Sequence, residues 1–195
     1  MKPTEVDVKS LTRELVHDAE EIFSASPESA GCFCTWFIIP VAQYHAGGES
    51  ENRKLFLELV EKNEEPIGLV AYVDRAPVGW CAAGPRSRFA RALRIPSFKG
   101  RDPSEDESVW LVPCFNVRKE HRRQGVSQAL LAGAVELARS HGARAIEGFP
   151  FAQGAKLSRE SMVGVEAVFQ SCGFTATRRP SGSRVVMRLE FDQSL

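Results

Sequence analysis

The passage from Val109 to Phe149 constrains the fold more than any other part of the chain. Val109 to Val117 is apolar except for Asn116, the composition of a strand buried on both faces. A basic turn containing a glycine follows. Val126, Leu130, Ala134 and Leu137 then recur at helical spacing as far as Ser140, and Gly142 supplies a stop. Ala145 to Phe149 is strand-like again. A strand, an amphipathic helix and a second strand, in that order, require a sheet with a helix packed on its face.

The flanking sequence extends this plan. Val6 to Val8 suits a short first strand. Thr12 is placed to cap a helix that carries Leu15, Val16, Ala19, Ile22 and Phe23 on one face. Pro27, Gly31, Pro40, Gly47 and Gly48 mark residues 25–50 as loop. A second helix, with Leu55, Phe56, Leu59 and Val60, ends before Pro66. Ile67 to Val73 and Val78 to Ala83 read as a hairpin around Asp74 to Pro77. A helix near Met162 to Ser171 ends before Gly173. Phe174 to Arg178 and Arg184 to Phe191 close the chain as strands, with Val185, Met187, Leu189 and Phe191 on one face. The expected fold class is α/β (α+β), a mixed central sheet flanked by helices. A length of 195 residues is that of one domain at roughly 100–200 residues each.

The turn between the central strand and helix carries the chemistry. Arg118-Lys119-Glu120-His121-Arg122-Arg123 leads into Gln124-Gly125-Val126-Ser127, which opens the helix. A helix N-terminus has unpaired backbone N–H groups and a partial positive charge. Gly125 removes the side chain that would hold an anion away from those donors. Ser127 is small, and Arg122 and Arg123 add charge beside the opening. The spacing is neither that of a dinucleotide fingerprint nor that of a Walker loop. Read alone, the residues fit either a phosphate pocket or an exposed basic helix entry.

Arg122-Arg123-Gln124-Gly125-Val126-Ser127 resembles the pyrophosphate loop of the GNAT family of acyl-CoA-dependent N-acetyltransferases, with Ser127 where the family has Gly or Ala. Ala167-Val168-Phe169-Gln170-Ser171-Cys172-Gly173-Phe174 resembles the family's last helix and its Gly-Phe strand entry. The resemblance is specific over about residues 109–191, the acyl-CoA-binding core. It is weak over residues 1–84, which would form the acceptor side of a single GNAT domain spanning 1–195. It implies that backbone groups of Phe115 and Val117 hold the pantetheine arm and the thioester carbonyl, where their strand splays from the Ala145–Phe149 strand. It implies that backbone N–H groups of Gln124, Gly125, Val126 and Ser127 hold the pyrophosphate, with Arg122 and Arg123 near the phosphates. It further implies acetyl-CoA as donor, an amine as acceptor, and direct attack in a ternary complex.

Two of the family's usual catalytic groups are missing. Phe169 stands where a Tyr often protonates the leaving thiolate. Pro113 and Cys114 stand where many members carry a carboxylate. Glu147 is the remaining candidate base, with a solvent-facing strand residue as the alternative. His121 falls where the family has a structural ring. These losses keep open a second reading, an acyl-CoA-binding sensor without turnover.

Cys32-Phe33-Cys34-Thr35-Trp36-Phe37 falls in the acceptor region and forms either an apolar wall for the acceptor or a loop tucked onto the sheet. Cys32, Cys34 and His45 lack metal-site spacing, so no metal is expected. Arg86, Arg88, Arg91, Arg94, Lys99 and Arg101 form a basic run, and Asp102, Glu105, Asp106 and Glu107 an acidic one. The basic run reads as a solvated loop, with attraction of an acidic acceptor or of CoA as the alternative. These runs cancel within a net charge of 0, which argues against nucleic acid as the main partner. No apolar run approaches the roughly 20 residues of a membrane span. Met1 to Ser10 has no signal core, and five cysteines make no disulfide framework, so a cytoplasmic protein is expected. The closing hairpin could offer an edge strand to a homodimer partner.

Overall fold

The computed structural model describes residues 5–25, 29–156 and 161–192. Its seven strands form one sheet in the order β1-β2-β3-β4-β5-β7-β6. They are β1 Asp7–Ser10, β2 Gly68–Val73, β3 Ala76–Pro85, β4 Val109–Val117, β5 Ala145–Gly148, β6 Thr175–Ser181 and β7 Arg184–Glu190. All neighbours run antiparallel except β4 and β5, which are parallel and joined by α3, Val126–Ser140. The expected mixed sheet is therefore present.

Each face of the sheet buries its own cluster. On one side α3 and α4, Glu166–Ser171, cover Leu69, Cys81, Val112, Ile146 and Met187. Leu130, Leu131, Ala134 and Ala138 of α3 are buried there, as the helical spacing requires. Val185, Met187 and Phe191 share that face, with Leu189 packed beside them. On the other side α1, Val16–Ser24, places Ala19, Ile22 and Phe23 against Trp80 and Phe56. The Phe23 ring meets Trp80, Phe56 and Phe33 edge-on, with centroids 5.4–5.6 Å apart.

Three readings of local structure are corrected. Thr12 precedes a single 3-10 turn, Arg13–Leu15, and α1 starts only at Val16; the Thr12 side chain bonds Glu14 and caps no backbone N–H. Residues 41–50 are not loop, because α2 runs from Val41 to Lys62. Pro40 sits at its N-cap, where a proline's missing N–H does no harm, and Gly48, at φ 61° and ψ −163°, is non-helical and divides α2 into two helical pieces across a kink, so the break expected there is present. Pro27, also read as a breaker, lies outside the described residues. The helix near Met162 is two pieces, a 3-10 turn at Ser161–Val163 and α4, divided at Gly164.

The basic run is not a solvated loop. Arg86 is 1% exposed. Its guanidinium bonds Glu147 at 3.0 Å, Asp106 at 3.0 Å and the Asp102 carbonyl at 2.8 Å. Arg101 pairs with Asp106 at 2.8 Å, while Arg188 of β7 pairs with Glu147 at 2.9 Å and Glu105 at 3.0 Å. Arg88 crosses to Glu65 and donates to the Ala83 carbonyl at 3.0 Å. Arg86 and Arg101 thus pair within the acidic run and Arg88 with Glu65, while Arg94 and Lys99 are exposed. Buried charges persist only when paired in this way.

Candidate active site

The site begins with an irregularity in β4. Trp110 and Val112 face the α3 side, and the next residues on that side are Phe115 and Val117. A step of three in place of two means that the strand bulges around Pro113-Cys114, and its register with β3 shifts there, between Ala82 and Gly84. Pro113 has no N–H to give a ladder, so a central strand can hold it only at such a break. Beyond the bulge, the Arg118 N–H bonds the Val78 carbonyl of β3 at 2.9 Å. Backbone groups alternate sides along a strand, so those of Phe115 and Val117 point away from β3.

On that side β5 is no longer there. It pairs with β4 from Val109↔Ala145 to Val112↔Gly148 and then departs. Phe149-Pro150 leads the chain to Phe151, which bridges to Val165 and Arg184. A gap therefore opens between β4 and the continuation of β5, edged by the backbone of Phe115 and Val117. The Val117 carbonyl also accepts from Arg122 Nε at 3.1 Å. Phe169 is fully buried at the apex of the gap. Its ring meets Phe115 edge-on at 6.0 Å and lies so close to Gly148 that a Cβ there would sit 2.2 Å from it.

The loop after β4 sits beside this gap. Lys119–His121 makes one 3-10 turn, Arg123 takes φ 62°, and Gly125 takes φ 83° as the residue capping α3. No side chain caps α3, and a Cβ built on Gly125 meets nothing within 4 Å. The backbone donors of the first helical turn thus face open space. Gln124, Arg122, Arg123 and Gly125 are exposed around it, with Gln124 Nε2 bonded to the Glu120 carbonyl at 2.8 Å. Val126 turns inward to the core, and Ser127 is half-buried. A helix terminus contributes only about 0.3–1 kcal/mol to a surface anion. A ligand held here needs the arginines and the strand backbone as well.

On the opposite face lies a cavity of 810 Å³. Trp36, Phe37, Tyr44 and Cys32 form one wall, Arg91 and Ile95 a second, and Phe149, Val163 and Arg184 a third. Phe149 directly follows β5, so the cavity reaches the end of the gap. Trp36 and Tyr44 meet edge-on at 5.0 Å, and Arg91 lies over the Trp36 ring with its guanidinium carbon 3.4 Å from the centroid. Burial pushes the Cys32 thiol up to about 11, with Cys34 nearby adding to it. Burial likewise raises Tyr44, followed by the effect of Cys32.

The expected site residues divide accordingly. Phe115, Val117, Arg122, Arg123, Gln124, Gly125, Val126 and Ser127 fall together along the gap and the α3 entrance. Glu147 does not join them: it is 5% exposed and both its oxygens accept from arginines, so it is neither a solvent-facing residue nor part of the cavity wall. His121 lies in the turn with its backbone N–H bonded to the Arg118 carbonyl. Trp36 and Phe37 line the cavity, but Phe33 is in the core against Phe23. Cys34 is buried against Trp80 Nε1 at 2.9 Å. Tyr44 and Phe149 were not legible as site residues, and Arg91 only as one member of the basic run whose alternative reading was attraction of an acidic acceptor. The one available signal was Pro150, which breaks the strand after Phe149.

Comparison with known proteins places these features in a family. The acetyltransferase (GNAT) family model matches residues 13–155, so the match reaches well into the N-terminal half and stops before α4. No curated protein matches the chain. The PaiA N-acetyltransferase of Thermoplasma acidophilum, solved in complex with coenzyme A, is 15% identical, with a TM-score of 0.54 over 96% of this chain and 99% of that one. YncA of Salmonella typhimurium, solved with acetyl-CoA, is 15% identical, with a TM-score of 0.58 over 97% and 95%. An acetyltransferase of Thermus thermophilus gives 15% and 0.54 over 98% and 100%. At this identity the structures speak for the fold, and the matched family model, covering most of the sequence, shows that the chain belongs to the acetyltransferase (GNAT) family.

Proposed function

We propose that the chain transfers an acetyl group from acetyl-CoA to an amine, with both substrates bound at once. The observation that carries this reading is one junction: an uncapped, unobstructed helix entrance opens beside a gap in the sheet, and a cavity meets that gap from the opposite face. A donor lying along one face and an acceptor entering from the other would meet there. The reading is also supported by the family and by relatives solved with coenzyme A and acetyl-CoA.

In this mechanism the backbone N–H groups of Gln124, Gly125, Val126 and Ser127 hold the pyrophosphate, and Arg122 and Arg123 add charge around it. Backbone groups of Phe115 and Val117 orient the pantetheine arm and polarise the thioester carbonyl. The acetyl thioester supplies an electrophilic carbon. The amine nitrogen bonds to it, the carbon–sulfur bond breaks, the thiolate leaves with the electron pair, and the amine's extra proton passes to water. Holding both partners supplies most of the acceleration, since positioning alone is worth as much as about 7–11 kcal/mol. No carboxylate lines the cavity among the described residues, and Phe169 has no proton to give. Glu147 is here a structural ion-pair partner, not the base.

Release of free CoA thiol from acetyl-CoA, measured across small amines, amino acids and peptide N-termini, tests the reading. Turnover that depends on the amine is expected. Tight CoA binding without thiol release from any acceptor would favour a sensor, the reading that Phe169 and the lack of a lining carboxylate among the described residues support.

A further inference from the structure

The acceptor cavity carries a charge pattern that acetyl transfer by itself does not explain. Its walls are largely aromatic and aliphatic, yet two arginines line it: Arg184, which lies over the Phe151 ring at 3.9 Å and donates to the Phe149 carbonyl at 3.5 Å, and Arg91. Of the other arginines of the same run, Arg86 pairs with Glu147 and Asp106, Arg101 with Asp106 and Arg88 with Glu65, while Arg94 is exposed to solvent. Arg91 has no carboxylate partner among the described residues. Its Nη1 donates to the Trp36 carbonyl at 2.9 Å, and its plane lies on the Trp36 ring. Stacking fixes the guanidinium and leaves its remaining N–H edge to the cavity. The nearby Cys32 thiol and Tyr44 hydroxyl both favour their neutral forms, so neither supplies the missing negative charge. A half-buried cation against an apolar wall, with no carboxylate beside it among the described residues, gains from a ligand that completes its hydrogen bonds.

We propose, building on the acetyltransferase reading, that the acceptor is an amine with a flat apolar body and a carboxylate, the carboxylate pairing with Arg91. The body lies against Phe37 and Phe149, whose rings meet edge-on at 5.5 Å. The amine then points past Phe149 to the end of β5, where the gap opens. A cavity of 810 Å³ accommodates a bicyclic aromatic amino acid, being near the upper end of the roughly 300–1,000 Å³ typical of small-molecule sites.

L-Tryptophan and tryptamine differ only by the carboxylate and make the test. Acetyl-CoA binding is measured by calorimetry, and kcat/KM is measured for both amines, with wild type, Arg91→Met and Arg91→Lys. L-Tryptophan is expected to be preferred about tenfold or more, the range of a charge-assisted hydrogen bond. Arg91→Met should remove the preference by raising KM for L-tryptophan alone, and Arg91→Lys should restore part of it, with acetyl-CoA binding unchanged in both. Equal use of the two amines, preference for tryptamine, or use of neither by an enzyme that binds acetyl-CoA would overturn the proposal. Failure of wild type to bind acetyl-CoA would instead break the acetyltransferase reading, and the proposal with it.

Discussion

At the scale of single residues, Gly125 was legible because its role follows from the absence of a side chain beside a helix start. Arg91 was legible only as one of a basic run, because in a run of like charges the sequence does not say which arginine meets an acid. Gly125 and Gly142, at the two ends of α3, make a controlled pair: both have positive φ and open space around a built Cβ. Valine at either position carries a backbone cost on the order of 1–3 kcal/mol. Only Gly125→Val should also weaken acetyl-CoA binding, by about tenfold or more if a charge-assisted hydrogen bond is lost; equal affinities in calorimetry would remove Gly125 from the site. The cysteines give a second residue-level expectation. Burial raises Cys32 to about 11 and also raises Cys81 and Cys172, while the hydrogen bond with Cys114 and then burial raise Cys34. Nucleophilic thiolate is therefore scarce at neutral pH. Iodoacetamide should label the folded protein slowly, at half-buried Cys172 first, and all five cysteines after unfolding. Rapid labelling of Cys32 in the folded state would contradict the described cavity wall.

At the scale of elements, β4, α3 and β5 were readable because each has a strong apolar pattern and a clear stop. The bulge in β4 was written in Pro113, yet its consequence depends on β5 leaving at Gly148, a pairing that no local pattern states. The 86–107 connection was misread for a similar reason. Its arginines look like surface residues until Asp106, Glu147 and Glu105 are brought to them by the fold. This network ties the connection to β5 and β7. Arg86→Met should leave Glu147 short of a buried partner and lower stability by about 3–5 kcal/mol in urea unfolding. Glu147→Gln should likewise lower stability while leaving the shape of the pH–rate profile intact. A lost acid limb with unchanged stability would return Glu147 to the role of base.

At the scale of the whole molecule, a net charge of 0 hides a structure held by local pairs of opposite sign. Arg188 holds the Glu105 carboxyl below its ordinary range through its hydrogen bonds, and Arg179, then the Gln153 N–H, do the same for Glu166. A carboxylate with a depressed folded pKa contributes fully above its unfolded value and loses that contribution as pH falls through the folded one. Stability should therefore hold near neutrality and decline below about pH 4.3, the unfolded Glu value. Arg179→Met should flatten that decline by removing the Glu166 share, as urea unfolding at neutral and acidic pH would show. The family pattern was legible over the central strand and helix but weak over the N-terminal half, where the match begins at residue 13. There the cavity wall is assembled from a 3-10 turn, the start of α2 and aromatic contacts between them, which carry little period to read. In the proposed function the gap between β4 and β5 and the entrance of α3 together hold an acyl-CoA. Calorimetric titration of the wild-type chain with acetyl-CoA should then show one site per chain with a Kd below about 1 mM, the upper end of usual substrate constants; no binding at that concentration would rule the site out.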